Sequence, residues 1–108
     1  MELKEKVCVP CQGGIPPLDC AGAEQLLDQT PAWSVSENCD RISRSFKFND
    51  FVATLEFVNK VAEISEEEGH HPDISFGWGY AEIMIYTHKI NGLHENDFIL
   101  AAKIDLLM

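Results

Sequence analysis

The stretch Glu66-Glu67-Glu68-Gly69-His70-His71-Pro72 holds the densest set of groups able to move protons near neutral pH, and His70, His71 and the downstream His88 are three of the four histidines in the chain. Neutral imidazole accepts a proton and charged imidazole donates one, so such a cluster suits general acid and base work on a small molecule. If helical geometry runs as far as Gly69, Glu66 lies one turn before His70 and can orient its imidazole or support its charged form. A divalent metal is the competing chemistry. Adjacent His70 and His71 point apart, however, unlike the i, i+4 pair of a zinc helix, and no metal is expected. The plainest alternative makes the acidic run a solvated helix end and the histidines ordinary loop residues. His94 is read that way.

These residues must be placed by the elements around them. Asp19 or Cys20 opens a short helix that Pro31 prevents from continuing. Trp33 to Glu37 and Arg41 to Phe48 alternate as two strands joined by a turn at Asn38-Cys39-Asp40. Ile42, Phe46 and Phe48 share a face with Arg44, which must then snorkel at the edge if that face is buried. Asn49 or Asp50 caps a long helix whose apolar stripe is read as Phe51, Leu55, Val58 and Ala62, widened by Val52 and Val61, with Thr54, Asn59, Lys60 and Glu63 facing away. Gly69 offers its C-cap, and Pro72 excludes further helix.

Pro72 to Trp78 and Tyr80 to His88 form a second hairpin, which places His88 at a strand end near His70 and His71. Ala81, Ile83, Ile85 and Thr87 face the core, while Glu82, Met84, Tyr86 and His88 form a half-polar face suited to a ligand or a subunit. A last helix begins at Glu95 or Asn96, with Phe98, Ile99, Ala102 and Leu106 on its apolar side. The order α-β-β-α-β-β-α gives an α+β fold, a four-stranded antiparallel sheet with three helices on one face. Residues 1–17 read as an extended, turn-rich leader on the surface, and residues 18–108 as one domain.

Composition excludes several function classes. A formal net charge of -10, with Lys and Arg scattered, opposes binding to nucleic acid. No apolar run is long enough for a membrane span, and Met1 to Lys6 lacks the apolar core of a signal peptide, so a cytoplasmic protein is expected. Cys8, Cys11, Cys20 and Cys39 are then expected as thiols. Cys8-x-x-Cys11 has no second pair at zinc spacing and lies in the leader, not between a strand and a helix.

The spacing Glu66-x-x-x-His70-His71-Pro72, followed by Trp78, Thr87-His88, Gly92-Leu93, Asp97 and Ala101-Ala102-x-Ile104-Asp105, closely resembles the signature of the pterin-4a-carbinolamine dehydratases. Trp33 and Phe46-x-Phe48-x-Asp50-Phe51 match as well, and the resemblance runs from about Cys20 onward. It implies dehydration of 4a-hydroxytetrahydropterin to quinonoid dihydropterin in support of tetrahydropterin recycling, with no metal or organic cofactor. By the same resemblance His70, His71 and His88 are catalytic with Glu66 in support, while Gly69, Tyr86, Thr87 and Asp97 hold or orient the pterin. It further implies a homodimer or homotetramer and a functional link to an aromatic amino acid hydroxylase. The alternative from a different class is a non-catalytic, acidic, oligomeric interaction or regulatory module.

Overall fold

The computed structural model describes residues 2–9 and 15–108. Its elements are α1 (Cys20–Leu27), β1 (Ser34–Val35), β2 (Ile42–Lys47), α2 (Phe51–Glu68), β3 (Asp73–Gly77), β4 (Tyr80–Ile85) and α3 (Glu95–Asp105), with short 3-10 turns at Leu3–Glu5 and His88–Ile90. This is the α-β-β-α-β-β-α order expected. All strands pair antiparallel in the order β1-β2-β4-β3. Ile42 pairs with Ile85, Phe46 with Ala81 and Ile74 with Ile83, which stacks the apolar side chains of three strands on one face under the helices. Gly79 takes a φ of 81°, which closes the β3–β4 hairpin.

Side-chain caps define where the helices begin. Asp19 accepts from the Gly22 amide and Asp50 from the Ala53 amide. α3 is buried almost all round, packed against α1, α2 and the Leu3–Glu5 turn, with Leu3 only 1% exposed. Leu106, expected on its apolar side, is exposed instead. Arg44 does lie on the core face. Its guanidinium crosses Phe46 at 4.4 Å and reaches Asp105 Oδ1 at 2.6 Å, where the Trp33 indole N–H also donates.

Three further expectations change. α2 is turned by about one position: Thr54, Phe57, Val61 and Ser65 face the core, while Phe51, Val52, Leu55 and Ala62 are exposed. Thr54 tolerates burial because its hydroxyl donates to the Asp50 carbonyl at 2.8 Å. Phe57 packs its ring 4.6 Å from Phe46 and 5.0 Å from Phe48. His88 does not end a strand but opens a 3-10 turn after Thr87. Cys20 and Cys39 are joined as a disulfide and are not free thiols, because Cys39 sits in the β1–β2 turn with a φ of 58° and returns the chain to the first turn of α1. Cys11 lies outside the described residues.

The rotation of α2 has a measurable consequence. Phe57→Ala is expected to lower unfolding free energy by about 3–5 kcal/mol in urea titration, while Asn59→Ala on the exposed side stays within about 0.5 kcal/mol.

Candidate active site

The histidines converge at one corner of the sheet, where α2 ends and α3 begins. Gly69 ends α2 in the left-handed region (φ 64°), a conformation glycine adopts without strain, and the His70 amide donates back to the Ser65 carbonyl at 3.1 Å. That turn changes which histidine meets Glu66. The Glu66 carboxylate lies 2.5 Å from His71 Nε2, not against His70, and both side chains are more than half exposed.

His70 turns inward to Asp97, with Nε2 2.5 Å from Oδ1. Asp97 is fully buried, and its Oδ2 accepts from the Thr87 hydroxyl at 2.9 Å and the His94 amide at 2.8 Å. A carboxylate is acceptor-only, so three surrounding donors satisfy it where an unpaired buried charge would be costly. His94, set aside above, has a structural role: its Nδ1 accepts from the Asn96 amide at 3.2 Å and completes a capping box with Asp97.

His71 lies two residues before Asp73, and Tyr86 lies two residues after Met84, the partner of Asp73, so both flank the same end of the β3–β4 pair. Met84 and Tyr86 follow the sheet face away from the helices. The Tyr86 ring lies 4.1 Å from the exposed His88 imidazole. The structure thus collects His70, Thr87 and Asp97 by direct contact, pairs Glu66 with His71, and sets the His88 ring against Tyr86 at a tilt of 43°. Gly69 supplies the turn that separates His70 from α2. The sequence reading missed Arg41, whose guanidinium lies 3.5 Å over Tyr86 and donates to Asn91 Oδ1 at 2.9 Å. Its signal was the hairpin turn at Asn38-Cys39-Asp40, but only the strand register places Arg41 next to Tyr86. A shallow pocket lined by Leu3, Gln29 and Asp105 lies toward the other end of α3.

Fold and site together define a small α+β protein with a corner lined by histidines and the buried Asp97. The family model described as Pterin 4 alpha carbinolamine dehydratase matches residues 16–107, and the chain belongs to that family. A relative from Halorhodospira halophila, provisionally named pterin-4-alpha-carbinolamine dehydratase, is 59% identical over 99% of this chain and 98% of its own length. One from Methylococcus capsulatus with the same provisional name is 54% identical over 97% and 92%. Among solved structures, a transcriptional coactivator/pterin dehydratase from Brucella melitensis superposes with a TM-score of 0.79 at 27% identity, over 84% of this chain and 97% of that one. A pterin dehydratase-like protein described as a RuBisCO assembly factor in the alpha-carboxysome gives a TM-score of 0.61 at 28% identity, over 70% and 88%.

The described leader residues brace this corner from behind. The Cys8 amide donates to Glu68 Oε1 at 2.8 Å, the Lys103 ammonium donates to Glu68 Oε2 at 2.9 Å, and the Asn96 side chain bonds both the Val9 amide and the Val9 carbonyl. Burial, then the neighbouring Glu68 carboxylate, pushes the Cys8 thiol up to about 12, which keeps it protonated and poorly nucleophilic. For Glu68, burial opposes ionisation, but the Cys8 amide and the Lys103 ammonium outweigh it and hold the carboxyl below its ordinary value of 4.5. A depressed folded value means that this stabilisation is present above the unfolded value and fades as pH falls through the folded one. The urea midpoint of the native chain is therefore expected to exceed that of Glu68→Gln at pH 7, with the gap closing as the pH falls below the ordinary carboxyl value of 4.5 and through the depressed folded one.

Proposed function

We propose that this protein dehydrates 4a-hydroxytetrahydropterin to quinonoid dihydropterin and water by histidine general acid and base catalysis. The observation that carries the reading is the buried His70–Asp97–Thr87 set beside His71 and His88. Elimination requires one proton delivered to the departing 4a-hydroxyl and one withdrawn from a ring nitrogen, so the net reaction releases only water. With acceptor-only Asp97 on Nε2, the His70 proton belongs on that nitrogen, which leaves Nδ1 to exchange a proton with substrate. His88 is exposed and supplies the complementary group, and His71 with Glu66 supports the exchange. Gly69, Tyr86 and Thr87 border the pterin. In this reading the catalytic domain spans residues 18–108, with residues 1–17 as its leader. It acts in the cytoplasm, without metal or organic cofactor, in tetrahydropterin recycling alongside an aromatic amino acid hydroxylase.

A homodimer or homotetramer is part of the same reading. Exposed Phe51, Val52 and Leu55 on α2 adjoin Phe76, whose ring lies 6.2 Å from that of Phe51, and together they offer an apolar face to a second copy. The RuBisCO assembly factor among the structural neighbours favours a second reading, an interaction module without catalysis.

A stopped-flow assay on freshly generated carbinolamine separates the two. The native chain is expected to accelerate dehydration, and His70→Ala and His88→Ala are each expected to lose about 100- to 10,000-fold in kcat while keeping native circular dichroism. Native rates in both variants would sink the histidine mechanism, and no acceleration by the native chain would favour the interaction module.

A further inference from the structure

We propose that Arg41 is a positioning residue for His88 that acts through Tyr86; its catalytic consequence rests on the dehydratase reading, while its geometry does not. Among the described residues no hydrogen bond from the protein holds the His88 imidazole, so the ring contact with Tyr86 at 4.1 Å restrains it. Tyr86 is covered on a face of its own by the Arg41 guanidinium at 3.5 Å, an attraction between a cation and the electron-rich ring face. Arg41 also reaches the turn that carries His88. Its Nη2 donates to Asn91 Oδ1 at 2.9 Å, and the Asn91 amide donates to the His88 carbonyl at 3.2 Å. One guanidinium thus holds both the ring beside His88 and the far end of its turn.

The guanidinium is itself fixed. Nη1 donates to the Asp40 carbonyl at 2.8 Å and lies 3.6 Å from the Asp40 carboxylate. The Ser36 hydroxyl accepts from the Asp40 and Arg41 amides at 3.1 and 3.0 Å, which stiffens the β1–β2 turn, and the Cys20–Cys39 disulfide anchors that turn to α1. A planar fork with several donors can stack and hydrogen bond at once, which an ammonium cannot. The chain therefore carries a line of contacts from a cross-linked turn to an exposed histidine, and without Arg41 the Tyr86 ring that limits the imidazole's rotation loses its own anchor.

The test is histidine-labelled 1H–13C NMR joined to kinetics. His88 resonances are assigned by their loss in His88→Gln, and the ring-current displacement by Tyr86 is defined by their move in Tyr86→Leu. Arg41→Ala is expected to move the His88 resonances at least halfway to the Tyr86→Leu position while the buried His70 resonances stay in place, and Arg41→Lys is expected to fall short of restoring them. In the dehydration assay Arg41→Ala should lower kcat about 2- to 30-fold, the range a lost cation–π contact spans, with KM within about twofold. If the alanine variant loses its fold, Arg41→Met keeps the apolar stem and serves in its place. Unmoved His88 resonances overturn the proposal whatever the activity, as does a rise in KM alone, which would make Arg41 a substrate contact. Displaced resonances in a protein without dehydratase activity uphold the positioning role and count against the dehydratase reading alone.

Discussion

Asp97 carries a carboxylate with no exposure to solvent, and the site depends on how that charge is satisfied. Its donors come from three separate segments: His70 just past the end of α2, Thr87 just past β4, and His94 at the cap of α3. Thr87 and His94 flank one short loop, while His70 lies well upstream of both, so the carboxylate is accommodated only when the long helix, the central hairpin and the last helix have all docked. Removing one donor leaves buried charge underpaired, a penalty larger than the net worth of a single hydrogen bond. Folding and assembly of the histidine corner are thereby one event.

The same constraint accounts for the helix orientation. α2 must deliver His70 inward at its C-terminus, and with Gly69 in the left-handed region this sets which side of the helix meets the sheet. Thr54, Phe57, Val61 and Ser65 then fall inside, two of them small and polar with their hydroxyls bonded one turn back. The richer apolar stripe of Phe51, Val52 and Leu55 is left outside. A helix that placed its most apolar stripe inward would aim the chain leaving it in a different direction.

This is where reading the sequence succeeds and where it stops. Element types and order follow from periodicity, caps and turn residues, because those signals are local: Asp19, Asp50, Gly69 and the Gly77–Gly79 turn each act within a few residues. The core side of α2 was misjudged because Phe51 and Leu55 compete with Phe57 and Val61, and hydrophobicity alone does not say which stripe the sheet takes. Glu66 was assigned to the wrong histidine because a single left-handed residue at Gly69 breaks the helical spacing on which the pairing relied. Asp97 was legible as a site residue only through resemblance, since the contact with His70 spans 27 positions. Arg41 had only its place after the Asn38-Cys39-Asp40 turn as a signal, and the Cys20–Cys39 pairing required knowing where the β1–β2 turn lands on α1.

In the dehydratase reading proposed above, His70 and His88 are built differently, and the difference fits two separate tasks. His70 is buried, with one ring nitrogen committed to a fixed carboxylate, so only the other can meet a substrate and its direction is set by the protein. His88 is exposed and rests against an aromatic ring, and among the described residues no hydrogen bond occupies its nitrogens. An elimination needs one group aimed at a defined atom and another able to exchange protons with solvent between turnovers. A buried, hydrogen-bonded imidazole suits the first task, and a solvated one held by a ring contact suits the second. Moving His88 into the carboxylate network would give it a direction at the expense of that exchange, whereas a ring contact restrains an imidazole without occupying either nitrogen.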